Sequence, residues 1–278
     1  MDNSIRTSLI AGTWYPADPG ELRELITSYF HQVKIPAIEG KLVGLISPHA
    51  GYPFSGQTAA YGYRLIQDHQ FDVVVVISPL HHTASGRYVV NKAASYWTPL
   101  GCVPIHQKLL KRLSNRIPIT RVRDDGEHSL EIQLPFLQVA LGDFALLPVM
   151  IGHGDINGCD DLTDALTEIL GDLRALLVAS SDLHHIADYN AVHAHDQRVI
   201  EALSTFDTKQ IRSVLNRPDS TVCGKVPIAV VTDLARRIGA NQVEILHHTT
   251  SGDVTGERES GHYTVGYLSA AIVRSIRN

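Results

Sequence analysis

Apolar and polar positions alternate between two regimes along this chain. The runs Leu42–Ile46, Val73–Ile77 (within Phe71–Ser78), Phe144–Ile151 and Ala175–Ala179 are apolar on both faces, the pattern of strands covered by helices on each side. Between them apolar residues recur at helical spacing. Leu22, Leu25, Ile26, Tyr29, Phe30 and Val33 mark one face of a helix opened by Asp18-Pro19-Gly20-Glu21, where Pro19's missing N–H costs nothing. The spacing predicts further helices over Gln57–Ile66 with Ser55 as N-cap, His106–Leu113, Asp160–Leu170, Ala191–Thr205, Thr208–Leu215 and from Cys223-Gly224 to Ile238. Another leads from the acidic stretch Asp124–Gln133 to Leu141. Arg87–Asn91, Val243–His247 and Tyr263–Ile272 read as strands, Tyr96–Gly101 as a turn-rich connection and Gly252–Gly261 as a polar loop. No Pro/Gly/Ser-rich linker divides this alternation. The expectation is α/β: a single domain over 1–278, with a central, largely buried mixed sheet flanked by helices.

Two of the strands end alike. Ile46-Ser47-Pro48-His49 and Ile77-Ser78-Pro79-Leu80-His81 each close on a proline, which cannot donate to a ladder and holds the residue before it extended. If the two strands are neighbours, His49 and His81 meet at one rim. Ala50 and Gly51 leave room for close approach beside His49. A third strand ends in Ser180-Ser181-Asp182-Leu183-His184-His185. Open α/β sheets bind ligands at the carboxyl ends of their strands, so chemistry is expected there.

The totals narrow the class. At 278 residues, 44% apolar and 19% charged, the chain can bury a large core in the manner of an ordinary globular protein. A net charge of -5 without a long Lys/Arg run argues against nucleic acid as a partner. The apolar runs fall far short of the roughly 18 residues a membrane helix needs. The opening MDNSIRTSLIAGTWYP lacks the pattern of a signal peptide, and Cys102, Cys159 and Cys223 are too few for a disulfide scaffold. A cytoplasmic location is the expectation. What stands out is the histidine count of 15, because it supplies the next step.

Ionisable side chains collect in four groups: His49; His81-His82; Glu127-His128 with Glu131; and Asp182 with His184-His185. Cys223 joins them at the head of a helix, where the dipole is expected to lower its thiol towards thiolate. Imidazole suits iron, copper, zinc or nickel, and thiolate leans to softer ions. Two or three such groups with an open position would make a metal site. The plainer reading makes each a hydrogen-bonded loop residue, Glu127 and Glu131 partners of a helix dipole, and Cys223 a small buried hydrophobe. His193, His195 and His247-His248 are read as structural.

SPHAGY at Ser47–Tyr52, Pro79-x-His81-His82, EHSLEIQLPF at Glu127–Phe136, SSDLHH at Ser180–His185 and CGKVPI at Cys223–Ile228 resemble the Memo family. Its bacterial and archaeal members are called AmmeMemoRadiSam system protein B. GTWYP near the start and GYLSAAI near the end fit as well, so the resemblance runs along nearly the whole chain. It implies a fold similar to class III extradiol (LigB-like) dioxygenases, with a vestibule holding the site. It further implies a metal, iron or copper, on His49, His81 and Cys223, with Asp182 and His185 in the same pocket, and redox chemistry. Animal members are described as adaptors for phosphotyrosine peptides. The prokaryotic name implies partnership with an AMMECR-type protein and a radical-SAM protein.

Two departures bear on the chemistry. The related dioxygenases hold iron with two His and a carboxylate. Cys223 at the third position keeps copper(I) and zinc in play and weighs against a simple transfer of ring cleavage. The pair His184-His185 leaves open which imidazole faces the pocket. Acid–base roles fall to Asp182, His185, His128 and Glu127, and Asp182 is expected to support the second nitrogen of a metal-bound imidazole. The sequence thus points first to a metal-binding, redox-type protein. A non-enzymatic module recognising a (phospho)peptide or other anionic or aromatic group is the alternative, and a zinc-type hydrolase with Glu127 or Asp182 as general base the third reading.

Overall fold

The computed structural model describes residues 4–82, 86–152 and 155–275. The chain opens with β1 (Ile5–Arg6) and α1 (Pro19–Gln32), whose N-cap Asp18 accepts the Gly20 and Glu21 N–H groups as its spacing predicts. β2 (Lys41–Ser47), α2 (Tyr52–Leu65) and β3 (Val73–Pro79) come next. Three short strands, β4 (Tyr88–Asn91), β5 (Ser95–Thr98) and β6 (Gly101–Pro104), precede α3 (Gln107–Ser114) and β7 (Thr120–Val122). A 3-10 turn at Glu131–Gln133 runs into α4 (Leu134–Leu141), followed by β8 (Leu146–Ile151), α5 (Asp160–Leu170), β9 (Ala175–Ser180) and the two-residue β10 (His185–Ile186). The last part holds α6 (Tyr189–Thr205), α7 (Thr208–Leu215), α8 (Lys225–Arg237), β11 (Gln242–Thr250), α9 (Ser251–Thr255) and β12 (Thr264–Arg274).

The main sheet runs β10-β12-β2-β9-β3-β8-β4-β7, with β11 also paired to β12. β2, β9, β3 and β8 lie parallel and, apart from Lys41, are buried along their length. That is what runs apolar on both faces require. β12 joins β2 and β4 joins β8 in antiparallel register, so the sheet is mixed. α2, with α1 and α4 against it, covers β12, β11 and β2; α8, with α5 and α7, covers β9, β3 and β2. The result is one α/β domain whose sheet is flanked by helices.

The structure departs from the sequence pattern in several places, the unpredicted short strands β1, β7 and β10 among them. β2 and β3 are not neighbours, because β9 lies hydrogen-bonded between them. α2 starts at Tyr52 with Gly51 as its N-cap rather than at Ser55. The Tyr52 N–H is met by the Trp14 carbonyl, and Ser55 Oγ donates to the Ala50 carbonyl instead. The segment around Tyr96–Gly101 is a hairpin, β5 and β6, in which Tyr96 and Thr98 point inward and Trp97 outward. Strands of four residues carry too little alternation to stand out from a turn. Within Gly252–Gly261, the first turn is α9, held by a capping box between Thr250 and Asp253.

Candidate metal centre

With β9 in the middle, three strand ends meet at one rim. β2 delivers His49, β3 delivers His81, β9 delivers Ser180 and, just past its end, Asp182 between them, and β10 beside β12 delivers His185. The Ser181 N–H donates to the Ser47 carbonyl, so pairing persists to the last residue of β2 and fixes where His49 leaves the sheet. α8 starts under the same rim. Gly224 is packed so tightly against Ser181 that a Cβ there would lie 2.3 Å from the serine Cβ, which holds Cys223 close to the end of β9. One ligand atom from each of His49, His81 and Cys223 lies within 4.8 Å of the other two. His81 with Glu127 and His128, and Cys223 with Asp182 and His185, form adjoining groups by the same measure.

The tautomer of His49 follows from counting protons. Ser180 Oγ donates its single proton to the Ser129 carbonyl (2.6 Å). It must then accept from Gln133 Nε2 (2.7 Å) and from His49 Nδ1 (3.0 Å). His49 is therefore protonated at Nδ1, and its Nε2 lone pair faces Cys223 Sγ at 3.0 Å. Burial, then the neighbouring His81 and His128, push the His49 imidazole well below its usual range, so it is neutral. A neutral imidazole with its second nitrogen engaged is the form that ligates metals.

On the β3 side Glu127 is saturated with donors. Its carboxylate accepts the His81 N–H (2.5 Å), His81 Nδ1 (3.0 Å), the His128 N–H (2.9 Å) and the Ser129 N–H (2.8 Å). Burial alone would raise this carboxyl, but the bonds from His81 and Ser129 outweigh it and hold it at about 2. A fixed anion at Nδ1 orients His81 with Nε2 free. Burial lowers the His81 imidazole, yet the Glu127 carboxylate more than reverses this and raises it. His128 stacks on His81 at 4.7 Å and under the half-buried Trp14 at 4.3 Å. Burial brings it down to about 4, so it is a neutral base at pH 7.

The other side is drier and less well bonded. Asp182 Oδ1 accepts the His49 and Ala50 N–H groups, while Oδ2 stands 3.9 Å from His49 Nε2. Burial raises this carboxyl to about 7, offset only in part by those two bonds. His184 and His185 part company here. His184 turns away, its Nδ1 2.8 Å from the buried Asp196, whose second oxygen meets His248 Nε2. His185 faces the site, held by Thr221 through its N–H and by Tyr263 OH at Nδ1 (3.1 Å). Burial, then His81, lowers its imidazole.

Three expectations need correction. Cys223 does sit at the head of α8, but its thiol is pushed well above the ordinary value, because burial and the Asp182 carboxylate outweigh the helix terminus and nearby N–H groups. Asp182 does not support the outer nitrogen of either imidazole; Ser180 does so for His49 and Glu127 for His81. Ser180 and Gln133 are the polar residues that sequence reasoning passed over. Both lie inside motifs already noticed; the available signal for Ser180 was a polar residue closing an apolar strand, and nothing local marked Gln133, which sits in the turn before α4. Glu131 is not a helix-dipole partner either. It is fully buried and bonded to Arg6, Ser8, Tyr15 and the Leu9 N–H.

The fold and this cluster define an α/β protein with a mixed His/Cys/carboxylate pocket at a strand-end rim. The chain belongs to the Memo family: residues 6–271 match the profile described as Memo-like protein. Among curated relatives, the MEMO1 family protein of Thermotoga neapolitana is 36% identical over 286 residues, covering 96% of this chain and 99% of its own. That of Nitrosopumilus maritimus is 34% identical over 273 residues, covering 95% and 98%. Among solved structures, an uncharacterized protein of Escherichia coli, JW3007, shares the fold with a TM-score of 0.55 at 16% identity, covering 84% of this chain and 100% of that one. Among the described residues no helix is long and apolar enough to cross a membrane.

Proposed function

We propose that this Memo-family protein binds a soft or borderline transition metal, iron or copper with zinc as the third option, through His49, His81 and Cys223, and serves a redox reaction in the surrounding pocket. The observation that carries this reading is the convergence of those three ligand atoms within 4.8 Å, with both outer imidazole nitrogens already engaged. The donor set fits such an ion. Two imidazoles offer Nε2 lone pairs, and a thiol that is too buried to ionise alone would ionise on meeting a cation. When bound, the metal would supply Lewis acidity and, as iron or copper, one-electron exchange.

The chain's own residues handle protons around it. His128 is neutral and can accept a proton from a bound acidic group, and Asp182 is poised to hold or release one near neutrality. Glu127, held far below neutrality, orients His81 rather than acting as a base. This argues against the hydrolase reading with Glu127 as general base. With Cys223 where extradiol dioxygenases have a carboxylate, simple catechols should not be cleaved over multiple turnovers. Oxidation of Cys223 is the expected fate in air.

A second reading, recognition of a peptide or other aromatic or anionic group, is favoured by one feature. Trp14 and the 67% exposed Tyr263 flank the pocket imidazoles His128 and His185. An AMMECR-type or radical-SAM protein would be the partner to try first under that reading. Anaerobic titration with Cu(I), Fe(II) and Zn(II) tests the first. Wild type should take up one equivalent, and Cys223→Ser should lose about 100-fold or more in Cu(I) affinity while staying folded. Unchanged affinity for all three ions in the mutant would make Cys223 structural.

A further inference from the structure

The N-terminal arm lies outside the main sheet, with β1 paired to β5 in a three-stranded sheet of its own. Yet Arg6, on β1, is 7% exposed and its guanidinium ends inside the flank of the pocket. Nε and Nη2 bond the Asp125 carboxylate at 3.0 and 2.8 Å. Nη2 also donates to the Glu127 carbonyl at 2.6 Å, and Nη1 to the buried Glu131 carboxylate and the Thr7 carbonyl. Asp125 Oδ1 in turn accepts the Glu127 N–H at 3.1 Å, and its Oδ2 accepts Asn91 Nδ2. Both main-chain polar groups of Glu127 are therefore gripped by one ion pair, its N–H by Asp125 and its carbonyl by Arg6.

We propose that Arg6 is a positioning residue: through Asp125 it fixes the backbone of Glu127, and Glu127 fixes the tautomer and orientation of His81. The geometry makes the path specific. Glu127 follows Gly126, which has φ +59, a left-handed turn that by itself leaves the direction of the next side chain open to adjustment. The planar guanidinium, with donors in a fixed fork, removes that freedom in a way an ammonium cannot. The same arm brings Trp14 over His128 and gives its carbonyl to the Tyr52 N–H, so docking of residues 4–15 completes two sides of the site. The functional meaning rests on the metal reading above; the positioning itself does not.

The test uses the whole 278-residue chain and two readouts. In metal-free wild type, at a pH high enough for His81 to be neutral, 15N NMR of the imidazoles should show it protonated at Nδ1. Co(II) serves as a spectroscopic probe of affinity. Arg6→Lys keeps the charge but loses the fork. It should give a mixture of His81 tautomers and weaken Co(II) binding by about 10-fold or more. Glu131→Gln removes the other carboxylate facing Arg6 without touching Glu127, so it should leave the His81 tautomer unchanged. If Arg6→Lys fails to fold by circular dichroism, Asp125→Asn takes its place, with the same expected tautomer mixture. The proposal is overturned if the folded variant keeps a wild-type His81 signal, or if Glu131→Gln shifts it as much. Absence of Co(II) binding by wild type would overturn the metal reading, while the tautomer measurement would still decide the role of Arg6.

Discussion

Glu127 and Asp182 are two carboxylates, 1% and 4% exposed, on opposite flanks of one pocket, and their acidities are driven in opposite directions. Glu127 sits near 2 and Asp182 near 7. Burial raises both, so the direction is decided by how many donors each carboxylate receives. Glu127 spreads four hydrogen bonds from two histidines and a serine over both oxygens. Asp182 takes two, both on Oδ1, while its Oδ2 stands 3.9 Å from His49 Nε2 and the carboxylate lies beside Cys223. A donor-saturated carboxylate is a fixed charge that orients a ligand; a donor-poor one can exchange a proton with whatever occupies the pocket. The same residue chemistry thus gives a strut on one side and a titrating group on the other.

Breaking the strut should have the largest effect. In Glu127→Gln an amide NH2 must face N–H donors where an oxygen now accepts them. We expect about 4–5 kcal/mol of lost stability at pH 7 by urea denaturation. Because the native carboxyl lies below its usual 4.5, its contribution is present above that value and is lost as pH falls towards 2. A mutant as stable as wild type at pH 7 would show that Glu127 is not held as described.

Asp182→Asn should do the reverse in metal-free protein. Native Asp182 titrates near 7 against an unfolded value of about 3.9. Between those values the native state binds more protons, so wild-type stability falls as pH rises through this window. The asparagine can still accept the two N–H groups and escapes that loss. Its advantage should be absent below pH 4 and reach about 2–4 kcal/mol at pH 8. An advantage independent of pH would contradict the contrast. Because it also removes a titratable negative charge from beside Cys223 and His49, the same mutant should bind metal about 10- to 100-fold more weakly; complete loss would make Asp182 a ligand.

Ser180→Ala sharpens the comparison with the smallest change. It leaves His49 Nδ1, one Gln133 N–H and the Ser129 carbonyl without their Ser180 partner, at a cost of about 1–2 kcal/mol. His49 should then populate the Nε2–H tautomer, visible by 15N NMR. A retained Nδ1–H would mean that another group sets it.

Much of this was legible in the sequence where local rules act. The four two-faced apolar runs announced a covered sheet, and Pro48 and Pro79 announced where strands stop and hand over His49 and His81. Asp18 capped the helix it was expected to cap. What failed depends on partners far along the chain. Nothing near Ile46 or Ile77 says that Ala175–Ser180 will wedge between them. Cys223 looked acidic by its helix position and is the opposite, because Asp182 lies beside it and water does not. Which of His184 and His185 faces inward depends on Asp196, and Glu127 owes its four donors to a loop braced by Arg6, more than a hundred residues earlier.

The proposed centre has a thiolate and two imidazoles sharing one ion. X-ray absorption at the copper edge, on protein loaded anaerobically with one equivalent of Cu(I), addresses this directly. The arrangement predicts one sulfur scatterer at about 2.3 Å and imidazole nitrogens at about 2.0 Å, with the sulfur lost in Cys223→Ser. A first shell of oxygen and nitrogen only, identical in wild type and Cys223→Ser, would contradict it.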